Sequence, residues 1–127
     1  MAQENKELLL KDLSARLLYG VKVQINSDVK KVVGVKNGFV VTKERGLYST
    51  KEYITRIECC IPYLRPMSSM TDVEKHIFDT MTRGYTVHQQ AALFDWLNAH
   101  YFDYRGLIEK GLAIEAHEGM YGKEEQQ

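Results

Sequence analysis

The stretch that most constrains the fold is residues 86–102, TVHQQAALFDWLNAHYF. Thr86 followed by Gln89 is a capping box. The hydroxyl accepts the N3 amide proton, and the glutamine side chain reaches back to the N-cap amide. Gly84 precedes it and breaks the foregoing helix. At about 100° per residue, Val87, Ala91, Phe94 and Tyr101 form one apolar stripe, and Leu93, Trp96, Leu97 and Tyr104 an adjoining one. The polar remainder is narrow: His88, Asp95 and Asp103, with Ala92 and Ala99 between them. A helix apolar around most of its circumference is expected to be buried on several sides. Fully burying one large apolar side chain contributes roughly 1.5–3 kcal/mol. The pattern therefore makes this helix the expected core element, on which strands and shorter segments close.

Upstream, Asn5 is expected to cap a helix running to about residue 18. Leu9, Leu10, Leu13 and Leu17 share its inner stripe; Lys11, Asp12 and Ser14 fall outside it. Gly20 supplies the stop. From Val21 the period changes from 3.6 to 2. Val21, Val23 and Ile25 alternate with Lys22 and Gln24, as in a half-buried strand. After the turn cluster Asn26-Ser27-Asp28 comes a Val-rich strand over 29–36. Asn37-Gly38 is a strong hairpin signal, because both residues tolerate positive φ in a type I′ turn. A returning strand covers 39–43, Glu44-Arg45-Gly46 turns again, residues 47–49 pair briefly, and YITRIECCI (53–61) is the last long strand. Gly34, inside a strand, suggests a bulge or bend and leans toward a curled sheet. Such a meander either curls into a small SH3-like barrel or lays one face on helices.

PYLRP at 62–66 begins an extended connector, since proline continues neither a sheet interior nor a helix. Thr71 and Glu74 form a second capping box, opening a helix with Val73, Ile77, Phe78 and Met81 on its inner side. Together with the 86–102 helix it makes a helical hairpin. Asp103 is placed to cap a short helical turn over 104–110, with Gly111 at C′. Leu112, Ile114 and Ala116 suggest a short strand that adds to a sheet edge. The expectation is an α+β single domain over 1–117, β-rich at 20–61, connector at 62–70, helical at 71–111. A polar tail at 118–127 is expected to fray.

A 127-residue chain with 44% hydrophobic and 27% charged residues fits one globular domain. No run of 18 apolar residues offers a membrane span. The start, MAQENKELLLKD, lacks an apolar core long enough for a signal peptide, so a cytoplasmic location is expected. Cys59 and Cys60 are adjacent and poorly placed to bridge. On a strand one faces the core and the other the surface. Residues 1–70 hold 12 Lys/Arg against 7 Asp/Glu, whereas residues 71–127 hold 5 against 10. Opposite charge on the two halves favours attraction between them, between copies, or between the basic half and an acidic partner.

Reactive chemistry finds little support. His88 and His100 lie about 120° apart around a helix and about 18 Å along it, too far to share an ion. His88 and Asp95, about 10 Å apart in rise, exceed hydrogen-bond reach for a dyad. His76 and His117 have no matching ligands, and no H-E-x-x-H, G-x-S-x-G, G-x-x-x-x-G-K-[ST] or G-x-G-x-x-G run is present. No metal, cofactor or catalytic residue is assigned, and the chain is not expected to be an enzyme. Nucleic acid is the stronger alternative. Lys22, Lys30, Lys31, Lys36, Lys43, Arg45, Lys51 and Arg56 interleave with Phe39, Tyr48 and Tyr53, a pattern able to grip single strands by phosphate contact and stacking. Against it, Lys also guards edge strands, and the pI of about 6.9 is far below that of a dedicated binder.

At YLRPMSSM (63–70), WLNAHYFDYRGLIEKGLAIEA (96–116) and DLSARLLYGVKV (12–23) the chain resembles short uncharacterised proteins of anaerobic gut bacteria and their prophages or mobile elements. The resemblance implies an accessory protein of such an element and carries over no site. The leading expectation is a non-catalytic protein-binding or assembly module, acting on a protein partner or on its own copies, with no membrane involved. The alternative is a nucleic-acid binder using the basic β-rich half.

Overall fold

The computed structural model describes residues 1–122. It is an α+β fold in which one mixed sheet of six strands carries the core. Helix α1 spans Gln3–Ala15, with Ala2 rather than Asn5 at its N-cap and no side-chain cap. Leu9 and Leu13 are fully buried, as their stripe requires. A 3-10 turn at Leu17–Tyr19 follows, and Gly20, at φ +70°, ends it where the sequence places the stop.

Asp12 departs from expectation. It is fully buried, and so is Arg16 one turn later. Arg16 grips it with two bonds, Nε to Oδ2 at 2.9 Å and Nη2 to Oδ1 at 3.0 Å. Nη2 also donates to the Phe102 carbonyl at 2.6 Å, and Arg105 reaches Asp12 Oδ1 at 3.1 Å. Both guanidiniums lie against the Tyr104 ring, 5.3 and 4.8 Å from its centroid. A charge on an amphipathic helix reads as solvated, but an i, i+4 partner of opposite sign lets it be buried as a pair.

The sheet order is β4-β3-β2-β1-β5-β6. β1 (Lys22–Ile25), β2 (Asp28–Lys36), β3 (Phe39–Arg45) and β4 (Thr50–Arg56) form the antiparallel meander. Asn37 and Gly38 both take positive φ, 49° and 80°, at the β2–β3 turn. The register slips between Val32 and Gly34, the bulge that the interior glycine suggests. Among the described residues no pairing joins the two ends, so the sheet stays open rather than closing into an SH3-like barrel.

The strand expected over 53–61 is broken. β4 ends at Arg56, a 3-10 turn covers Ile57–Cys59, and β5 (Ile61–Leu64) begins on the far side of β1. Ile57 turns into the core there, and the chain crosses beneath α1, where Lys6 meets Glu58 at 2.8 Å. Pro62 therefore lies within a strand, opposite Val23, contrary to the connector reading. It is tolerated because β6 (Ile114–Glu115) pairs only with Tyr63 and Leu64, leaving the stretch beside Pro62 without a strand on that flank among the described residues. β6 runs parallel to β5, on the sheet edge where a short strand was placed.

The largest correction concerns the expected core helix. Helix α2 spans Asp72–Thr82 and α3 Val87–Ala99, and both capping boxes form as read. Yet within α3 only Leu97 and Asn98 are buried. Val87 is 81% exposed and Phe94 48%. The core is instead α1, the sheet and the segment after α3: Leu9, Leu13, Val21, Val23, Val32, Val40, Ile57, Cys60, Leu64, Tyr101, Leu107, Leu112 and Ala113. Counting apolar positions around α3 overstated its burial, since Ala91, Ala92 and Ala99 have little area to hide. Tyr101 and Phe102 are buried, but beyond the helix end, with Tyr101 in the left-handed region at φ 62°.

Residues 104–110 form turns, not a helix. Asp103 nonetheless accepts from the Leu107 and Ile108 amides at 2.8 and 2.9 Å, as a cap would. The expectation of a frayed tail from 118 fails for its described part. Met120 is buried, and the Tyr121 ring stacks on Tyr101 at 3.6 Å between centroids. The Tyr121 hydroxyl accepts from the Lys22 amide at 2.8 Å and donates to the Tyr63 carbonyl at 2.9 Å. The part of that expectation covering 123–127 lies outside the described residues.

Asp12→Ala leaves two guanidiniums without their carboxylate and is expected to lower unfolding free energy by about 3–5 kcal/mol in urea titration. The double variant Asp12→Leu/Arg16→Met, which removes both buried charges, is expected to lose less than the single one.

Candidate interaction surfaces

The interior polar groups are committed to holding the chain together. Asp12, Arg16 and Asp103 make the bonds described above, and Asn98 Oδ1 accepts from the Tyr104 hydroxyl at 2.9 Å. Among the described residues, no three His, Cys, Asp or Glu side chains group so as to hold a metal ion. His76, His88 and His117 are exposed and dispersed. His100 is half-buried, its Nδ1 2.9 Å from the Trp96 carbonyl and its ring against Trp96 and Phe102. It borders an open groove of about 890 Å³ shared with Lys31, Tyr19, Tyr101 and Leu18. Neither His88 nor Asp95 lines that groove, so the polar groups of α3 do not converge.

Two surfaces remain. The first is the helical pair. Its base is fastened by Arg65, just beyond β5. The Arg65 guanidinium makes a bidentate pair with Glu74 of α2 at 2.8 and 2.6 Å and lies 4.2 Å over the Phe102 ring. Its backbone bridges residues 101–103 through bonds of 2.7 and 2.8 Å. The base of α2 and the exit of α3 are thus held at one point. From there the pair runs outward to a tip at Gly84 and Tyr85, where Gln89 accepts from the Tyr85 and Thr86 amides. Apolar side chains lie open along the pair: Val73, beside Glu74 at the base, is 70% exposed, and Tyr85 and Val87 at the tip are 93% and 81% exposed. Val73 and Ile77 are one turn apart on α2, and Val87, Ala91 and Phe94 share a stripe on α3. These are the stripes that the sequence suggests should be buried.

The second surface is the sheet. Residues paired across strands project from the same face. The register therefore puts Lys22, Lys31, Lys36, Lys43, Arg45 and Arg56 on one face, with Phe39, Val41 and Ile54. Lys30, Lys51 and Tyr53 fall on the other, and Tyr48 lies exposed in the β3–β4 turn. Of the residues nominated for nucleic-acid contact, six cations share a face with a single aromatic. Two of the nominated lysines face carboxylates, Lys30 with Glu44 at 3.7 Å and Lys43 with Glu52 at 4.0 Å. Lys22 folds back to the Met120 carbonyl at 2.8 Å.

Arg16, Arg65 and Tyr121 are not among the residues that local sequence patterns single out. For Arg16 a signal existed: Asp-x-x-x-Arg inside a leucine stripe. For Arg65 none did, since Glu74 lies nine residues on, across a connector, and for Tyr121 none did, since its partners are distant in sequence. No family model, curated protein or solved structure matches the chain.

Two measurements test the local chemistry. Burial, with Cys59 and Glu58 beside it, pushes the Cys60 thiol up to about 11, while Cys59 is exposed. A thiol reagent at neutral pH is expected to modify one cysteine in the native protein and two in denaturant. The Arg65 hydrogen bonds, aided by the Thr71 amide and opposed by burial, hold the Glu74 carboxyl at about 2 against an ordinary 4.5. The pair's stabilisation is therefore complete above pH 4.5 and lost as pH falls toward 2. Glu74→Gln is expected to lower the melting temperature at neutral pH and flatten its decline across that window.

Proposed function

We propose that the chain is a non-catalytic protein-binding or assembly module. The observation that carries this reading is the helical pair, fastened at its base by Arg65 and carrying uncovered apolar side chains toward its tip. Large apolar side chains exposed together on an otherwise well-packed domain favour a partner surface that removes them from water. Amphipathic helices present such residues at i, i+4 and i+7 spacing to a groove, which is the spacing of Val87, Ala91 and Phe94. The engagement of Asp12, Arg16 and Asp103 in bonds that hold the chain together supports the non-catalytic reading. The resemblance at 12–23, 63–70 and 96–116 supports placing the module in the accessory set of a phage or mobile element.

The nucleic-acid reading is favoured by one observation, the six cations that the register collects on one sheet face. Fluorescence anisotropy with single-stranded oligonucleotides at low salt decides it; no binding at tens of micromolar protein removes it.

For the leading reading, benzoylphenylalanine in place of Val87 is expected to crosslink to a protein on illumination. Val87→Asp combined with Phe94→Asp should weaken that association at least tenfold with the fold retained by circular dichroism; Val87 is 81% exposed, and the lost contact of Phe94 with the Tyr104 ring lowers the melting temperature modestly. A strict monomer by light scattering at low and high salt, with no crosslink from position 87, would end this reading.

A further inference from the structure

Among the described residues, the helical pair is not alone in presenting an open surface. β4 is a terminal strand of the sheet, bonded to β3 along its length, with no strand beyond it among the described residues. Its pairing with β3 runs in unbroken register from Arg45↔Thr50 to Phe39↔Arg56. It contains no proline. An edge of that kind displays a row of amide and carbonyl groups ready to pair with another strand.

The side chains specify which strand. Glu52, Ile54 and Arg56 share one face, because they stand opposite Lys43, Val41 and Phe39 of β3. Glu52 precedes Ile54 by two positions and Arg56 follows it by two, so the pattern is self-complementary about Ile54. If two copies of β4 run antiparallel with Ile54 opposite Ile54, Glu52 of each stands directly opposite Arg56 of the other. Ile54, 66% exposed in the single chain, then meets its own counterpart. Tyr53 stands opposite Thr55 on the reverse face. Glu52 also keeps Lys43 of its own chain at 4.0 Å, lying between two cations. Centring the pair on Tyr53 instead sets Glu52 against Ile54 and Arg56 against Thr50, with no ion pair. Opposite charges directly across a ladder favour a register, and like charges disfavour it.

We propose that β4 is the seam of a two-fold homodimer, in which the sheets of two copies join edge to edge about Ile54. An isologous contact of this sort closes on itself and leaves both helical pairs free. The proposal rests on the assembly reading and names a second copy as one partner, on a surface separate from α2 and α3.

The test uses sedimentation equilibrium of the full chain at low and moderate salt. The wild type is expected to dimerise. Glu52→Arg alone and Arg56→Glu alone each set like charges opposite one another and should weaken dimerisation about tenfold or more. The double variant Glu52→Arg/Arg56→Glu restores the pairs and should dimerise again. An equimolar mixture of the two single variants should give a heterodimer, since each then faces its opposite. Circular dichroism should show all variants folded, because both side chains are exposed. Amide exchange within β4 should slow as wild-type concentration rises. A monomeric wild type, or single variants that dimerise undiminished, overturns the proposal. If dimerisation survives these variants but is lost in Val87→Asp/Phe94→Asp, the seam is wrong and the assembly reading stands. A monomer with no crosslink from position 87 removes both.

Discussion

The buried ion pair between Asp12 and Arg16 decides where the second half of the chain lies. Two charges taken out of water must satisfy one another and their remaining donors or the fold pays heavily. Arg16 does this by reaching the Phe102 carbonyl, 86 positions away, and Asp12 by also accepting from Arg105. α1 therefore cannot be covered by just any apolar segment; only one that brings that carbonyl and that guanidinium will do. Arg16 Nη1 still lacks a partner among the described residues, an added cost of about 1–3 kcal/mol. Such a cluster contributes specificity of arrangement rather than net stability.

With residues 101–113 drawn onto α1, the helices before them are left at the margin. Local sequence misleads here about which apolar face is covered, while other features are correctly encoded. The change of period at Val21, the Asn37-Gly38 turn, the bulge at Gly34, both capping boxes and the edge strand near Ile114 were all legible, because each is encoded within a few residues. Which apolar face finds cover is encoded between residues far apart. The stripes of α1 and α3 look alike; what separates them is that α1 carries Asp12 and ends at its partner Arg16, while three positions of α3 are alanines. The break at Ile57 and the docking of Tyr121 were illegible for the same reason.

The candidate surfaces follow the same division. The cations nominated from sequence are real, but alternation along strands sorts them between two faces, and only the pairing register tells which face holds which. Phe39 is thereby separated from Tyr53. The apolar residues of α2 and α3 were visible in the sequence as a pattern, and their exposure follows from where Arg65 fastens the base of the pair. The opposite charge of the two halves is partly spent inside the molecule, between Arg65 and Glu74. The rest, carried mainly by exposed groups, remains free to steer encounters at low salt.

Tyr121 adds a constraint of a temporal kind. Its hydroxyl accepts from the Lys22 amide at the start of the first strand and donates to Tyr63 of the fifth, while its ring caps Tyr101. During vectorial synthesis the meander emerges from the ribosome long before that residue exists. β1 and β5 must then wait with those backbone groups hydrated until position 121 has cleared the exit tunnel. The tie between β1 and β5 through this hydroxyl therefore forms only after the core segment at 101–113 has been made, and Tyr121 closes it last.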